Sequence, residues 1–156
     1  MEYLWRKNSL IFLFCCSVFW WYIYIGFLVE RAHAEVGLEV PGNGTLQIFW
    51  AKEGGGYAEE KMADVFVHPG ATEYSFSLTD LSGVDKLRID PIKQGGKIKI
   101  LYLNLYQHGF MPVELAGLSG LAELKPYNQV EQLRLDNSGL EFISSGNDPG
   151  LELYLH

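Results

Sequence analysis

Two Arg-x-Asp triplets carry the most conspicuous pairing of chemically active side chains. Arg88 and Asp90 lie in Leu87-Arg88-Ile89-Asp90-Pro91, and Arg134 and Asp136 in Leu133-Arg134-Leu135-Asp136-Asn137. The echo could mark a catalytic pair, a metal site, or two strands of one sheet, on each of which cation and carboxylate share a face because side chains alternate with period two. The apolar residues between them favour strands, because Leu87 and Ile89, like Leu133 and Leu135, take the opposite parity and predict a core-facing row. Each aspartate then ends its strand, where its carboxylate accepts from following backbone amides and opens a turn. Pro91 stops the ladder by lacking an N–H.

The other chemistry-bearing residues point to no catalytic centre. Gly117-Leu118-Ser119-Gly120-Leu121 misses the nucleophile-elbow pattern, having leucine where the final glycine belongs, and its surroundings predict no strand-turn-helix context. His68, His108 and His156 lack zinc-ligand spacing, and His68 before Pro69 reads as a turn residue. The Gly54-Gly55-Gly56 run lacks the Lys-Ser/Thr of a phosphate loop. Asn43-Gly44-Thr45 is a glycosylation sequon but reads first as an Asn-Gly hairpin turn. Asp136-Asn137-Ser138-Gly139 and Asn147-Asp148 are oxygen-rich loops better read as turns than as calcium sites. The expectation is a noncatalytic chain with no metal and no cofactor.

The elements that would position these residues are strands. Leu46, Ile48 and Trp50 share one parity in TLQIFW, as do Tyr74, Phe76 and Leu78 in EYSFSL and Leu151, Leu153 and Leu155 in LELYL. Turn chemistries such as Pro41-Gly42-Asn43-Gly44, His68-Pro69-Gly70, Gln94-Gly95-Gly96 and Gly146-Asn147-Asp148-Pro149-Gly150 separate them at intervals of about ten residues. About eight to ten strands at that spacing predict a mainly β fold, a jelly roll or β-sandwich. Ile98 and Ile100 point inward, yet Leu101, Leu103 and Leu105 take the opposite parity, which predicts either a bulge near Ile100 or a strand covered on both faces. Only residues 113–125 suit a short helix.

Ahead of this, residues 10–29 (LIFLFCCSVFWWYIYIGFLV) run for twenty residues without a charge. That is the length of a single transmembrane helix, and Arg6 and Lys7 before it favour a cytoplasmic N-terminus. Glu30-Arg31-Ala32-His33-Ala34 also resembles a signal-peptidase site, so a secreted form cut after Ala34 is the competing reading. Either way the chain divides into an anchor or signal segment, 1–34, and an extracytoplasmic domain, 35–156. Both cysteines, Cys15 and Cys16, fall within the apolar run, leaving the domain without disulfides. From Glu35 onward 17 acidic residues face nine Lys and Arg, a balance that argues against nucleic acid and anionic lipid as partners.

The ordered series LQIFWAKEGGGYAEEK, YSFSL, LRIDPIKQGGKIKI and SSGNDPGLEL resembles an extracytoplasmic β-sandwich domain of bacterial membrane proteins that assemble cell-surface polysaccharide. The resemblance spans residues 36–155. In that group the domain stands beside polytopic glycosyltransferase-like or O-antigen-related membrane regions, where the transferase chemistry would reside. It therefore implies a membrane-tethered, noncatalytic module that binds or positions glycan or assists polysaccharide assembly. The alternative is a protein-interaction module docking onto a polytopic, glycosyltransferase-like partner. Tyr57, Trp50, Tyr102, Tyr106 and Tyr127 are the sugar-stacking candidates, since an aromatic face buries the C–H face of a pyranose at low entropic cost. Tyr57 leads because it follows a glycine loop. Trp50 shares the parity of Leu46 and Ile48, which favours the core.

Overall fold

The computed structural model describes residues 2–25, 31–93 and 95–155, with the backbone alone over 2–9. Helix α1, Glu2–Tyr24, is followed by β1 (Ala32–Glu39), β2 (Gly44–Ala51), β3 (Met62–Val67), β4 (Glu73–Ser77), β5 (Lys86–Asp90) and β6 (Gly96–Gln107). Then come β7 (Val113–Ala116), α2 (Gly117–Leu121), β8 (Lys125–Asn128), β9 (Val130–Asp136), β10 (Gly139–Ser144) and β11 (Gly150–Tyr154). The strands form two antiparallel sheets, one ordered β4-β1-β6-β10-β9 with β7 also on β6, the other β3-β2-β5-β11-β8. The mainly β, sandwich-like architecture expected from the alternating segments is present.

Period-two rows from both sheets meet in one core. Leu46 and Ile48 of β2, Leu87 and Ile89 of β5 and Leu151 and Leu153 of β11 oppose Val36 and Leu38 of β1, Ile98, Ile100 and Leu103 of β6, and Phe142 of β10. The bulge falls at Leu101: Gly37 pairs with Tyr102 but Leu38 pairs with Ile100, so one residue of β6 is skipped and the inward parity switches. That switch lets one 12-residue strand bury Ile98, Ile100, Leu103 and Leu105 together.

Three expectations need correction. The two Arg-x-Asp strands lie in different sheets, β5 at the centre of one and β9 at the edge of the other. Leu133 is exposed, because Gln132 adopts φ 50° and the β9–β10 register shifts between Glu141 and Ile143, which breaks the simple alternation. Pro41-Gly42-Asn43-Gly44 closes no hairpin; it carries the chain from β1 in one sheet to β2 in the other.

The uncharged N-terminal run is helical through Tyr24, but residues 26–29 lie outside the described residues, as do Glu30, Gln94 and His156. Glu2, Arg6 and Lys7 occupy the start of α1, so its uncharged part within the helix is shorter than the roughly 20 apolar residues a bilayer requires. Among the described residues no helix is long and apolar enough to cross a membrane. The sandwich opens at Ala32, with Ala32 and Ala34 buried in β1.

Candidate functional site

The outer face of the β3-β2-β5-β11-β8 sheet is built around Arg88. Parity on β5 sends Leu87 and Ile89 inward and Arg88 and Asp90 outward, and the guanidinium grips the carboxylate twice, Nε to Oδ1 at 3.0 Å and Nη2 to Oδ2 at 2.7 Å. Phe49, the cross-strand neighbour on β2, lies under the guanidinium with its ring centre 4.2 Å away. Tyr57 and Tyr127 stand at 5.2 and 5.5 Å and meet each other edge to face at 5.9 Å. The Tyr57 hydroxyl donates to Glu152 Oε1 at 2.6 Å and the Tyr154 hydroxyl to Oε2 at 2.8 Å, while Lys86 Nζ lies 3.7 Å from Oε1. Gly150 makes room, since a Cβ there would come within 3.1 Å of Asp90 Oδ1 and 3.3 Å of the Tyr127 ring.

Burial, and then the hydrogen bond and charge of Glu152, hold the Tyr57 phenol far above the ordinary range. Burial works against ionisation of Glu152, but donors from Tyr57 and Tyr154 and the Lys86 charge outweigh it and keep its carboxyl below the usual range. At Asp90 burial pushes the carboxyl up despite Arg88, whereas at Arg88 the bonds to Asp90 outweigh burial and raise the guanidinium. These directions pull against each other; the bidentate geometry favours the charged pair, because each ion satisfies the other's donors or acceptors. The cluster is thus an internally satisfied layer, and Tyr57 is tied into it rather than presented on a free loop.

The opposite outer face carries a different pattern. Beyond the Leu101 bulge, Tyr102, Asn104 and Tyr106 point outward along β6, half-buried, the two tyrosines about 13 Å apart along the backbone at roughly 3.3 Å per residue. Their β1 partners are Gly37, Glu35 and His33, and Asn104 also pairs with Glu114 of β7. Tyr102 lies across Gly37, where a Cβ would sit 2.5 Å from its ring. His33 Nε2 meets Ser75 Oγ at 2.9 Å and Glu35 at 4.0 Å. Burial and then the charges of Glu73 and Glu35 raise the Tyr102 phenol; burial and then Glu35 and Glu114 raise Tyr106. The result is a flat row of two phenols and an amide flanked by carboxylates, suited to stacking and to accepting hydroxyl donors.

The five aromatic candidates therefore separate three ways: Tyr57 with Tyr127, Tyr102 with Tyr106 on the other sheet, and Trp50 in the core. Glu35, Asn104 and Glu114, which complete the second row, were not singled out from the sequence. Alternation in YLNLY announces that Tyr102, Asn104 and Tyr106 share a face, but only register brings Glu35 and Glu114 beside Asn104.

The remaining motifs are structural in their placement. Asp136 Oδ1 accepts from the Ser138 N–H at 2.8 Å, the turn expected of it, while Asp90 is taken by Arg88 instead. The Tyr74 hydroxyl pins the His68-Pro69-Gly70 turn, accepting from the His68 N–H at 3.1 Å and donating toward the His68 and Ala71 carbonyls. Contrary to expectation, β7 feeds α2 directly, a strand-to-helix step; Gly117 occupies the bend at φ 62°, and Ser119 lies exposed within α2. Among the described residues no group of three or more His, Cys, Asp or Glu is placed to hold a metal ion. Comparison with protein-family models, with curated proteins and with solved structures found no match to this chain.

Proposed function

We propose that this chain is a membrane-tethered, noncatalytic β-sandwich that binds or positions an envelope glycan on the Tyr102-Asn104-Tyr106 row. The observation that carries this reading is the row itself: two half-buried phenol rings on one strand, an amide between them, and Glu35 and Glu114 alongside. Half-buried rings are already oriented, so a sugar loses little by stacking on them, and carboxylates and amides accept from its hydroxyls. The acidic character of the domain suits a neutral glycan better than an anionic one. The Arg88 face fits the role less well, since its polar groups are already matched to one another.

The tether is read from α1 and the uncharged residues that follow it. Among the described side chains of α1, Leu10, Phe12, Phe14, Phe19 and Trp20 are exposed around the helix, leaving an apolar surface on several sides. Retention of the segment, rather than processing after Ala34, is supported by β1, because that cut would remove Ala32 and Ala34 from their places in the core.

The test is retention of the full-length chain in detergent on a panel of immobilised cell-envelope polysaccharides. Tyr106→Ala is expected to weaken retention about fivefold, on the order of 1 kcal/mol for one aromatic contact. Tyr127→Ala, on the other sheet, should leave retention unchanged. Equal loss in both variants would place the site elsewhere, and no retention of the wild-type protein across the panel would reject glycan binding in favour of docking onto a polytopic protein.

A further inference from the structure

The end of the sandwich from which β1 starts holds an apolar cavity of about 390 Å³ between the β4–β5 connection and the loop after β6. Leu81, Val84, Leu105, Phe110 and Leu155 line it together with Tyr106 of the outward row, and Met111, 90% exposed, stands at its mouth. The volume lies within the roughly 300–1,000 Å³ range of small-molecule sites.

Apart from the Tyr106 phenol, the polar groups around it are already committed. The Leu81 N–H donates to Gln107 Oε1 at 2.9 Å, and Gln107 Nε2 donates to Asp80. The backbone amides of Val84, Phe110 and Leu155 donate to Leu81, Gln107 and Asp85 carbonyls. An occupant would find apolar walls and few uncommitted partners, which selects hydrocarbon over a hydroxylated or charged ligand.

Position says where such a hydrocarbon would come from. Gln107, at the cavity wall, pairs with Ala32, the first residue of β1, and His108 meets Tyr24, the last residue of α1, edge to face with ring centres 6.5 Å apart. The mouth therefore lies in the part of the domain that meets Tyr24, within the proposed membrane segment. Gly109, at φ 84°, turns the loop so that Phe110 and Met111 project together, and methionine adapts its unbranched chain to an irregular apolar partner.

We propose that this cavity takes one acyl chain of a membrane phospholipid, with Phe110 and Met111 entering the bilayer interface at its mouth. The proposal rests on the tethered reading of α1. It is tested with the full-length chain reconstituted in phosphatidylcholine vesicles carrying a photoactivatable diazirine in mid-acyl chain, followed by peptide mapping, with an alkaline carbonate wash as a separate report on the tether. Label is expected in residues 81–84 and 110–113 as well as in α1. Val84→Phe, which fills the cavity, and Met111→Ser, which alters only an exposed side chain, should each reduce the label in those two segments at least fivefold relative to α1. Label in α1 alone, or cavity label unchanged in both variants, would overturn the acyl-chain site and leave the tether standing. Cavity label in protein that carbonate strips from the vesicles would keep the site and reject the tether; label in neither place would reject both.

Discussion

Asp90 is 5% exposed and carries a charge that, among the described residues, only Arg88 neutralises at bonding distance. Removing it leaves a guanidinium pressed between Phe49, Tyr57 and Tyr127 without its anion. Asp90→Ala is expected to cost about 3–5 kcal/mol, because the desolvated cation loses its compensation. The double variant Arg88→Met/Asp90→Leu should lose less than Asp90→Ala, which urea denaturation of the three proteins would show; a larger loss would mean that the pair contributes more than it costs to bury. Tyr57 adds a pH dependence. Its folded phenol pKa is raised, so its contribution is complete below the unfolded phenol value of about 10 and is lost as pH rises beyond it. Glu152 has the opposite sign: its lowered folded pKa gives a contribution present above the unfolded carboxyl value and lost as pH falls through the folded one. Thermal melting between about pH 9 and 12 should therefore decline more steeply in the wild type than in Tyr57→Phe.

Among the strands, β5 and β9 carry nearly the same residues and do different work. Leu87 packs between the sheets with no exposed surface, whereas Leu133 stands on an edge strand whose twist at Gln132 turns it to solvent. Leu87→Ala is expected to cost about 2–5 kcal/mol, the cost of a core cavity, and Leu133→Ala about 0.5 kcal/mol or less. Their urea midpoints measure the difference directly; similar midpoints would contradict the assignment of β9 to an edge. Strand β6 shows the converse economy. Its bulge lets β10 pair with one half of its length and β7 with the other, and the same bulge turns Tyr102, Asn104 and Tyr106 outward as a row.

For the molecule as a whole, the Arg88 face and the tyrosine row lie on different sheets, and the row meets the apolar end at Tyr106. Under the tethered reading, the apolar end faces the bilayer and the tyrosine row runs up the side of the sandwich. Protease added outside spheroplasts should then digest the domain while the membrane stays intact. Complete protection under those conditions would place the domain on the cytoplasmic side and remove access to an external glycan.

How much of this was legible from the residues depends on the range of the interaction. Alternation is local, so the inward rows of TLQIFW, EYSFSL and LELYL, the bulge after Ile100, the turn at Asp136 and the burial of Trp50 could be read directly from the order of side chains. The uncharged residues 10–29 were equally plain in composition. Sheet membership was not, since two strands with the same Leu-Arg-hydrophobic-Asp pattern satisfy alternation equally well in either sheet. Nor was the capture of Asp90 by Arg88, or of Tyr57 by Glu152 across 95 residues of chain, because such contacts depend on which strands become neighbours. The sequence determined which residues share a face; cross-strand pairing, a long-range consequence of burying both sheets' apolar rows at once, decided which residues become neighbours, Arg88 with Phe49 and Tyr57 on one sheet and Asn104 with Glu35 and Glu114 on the other.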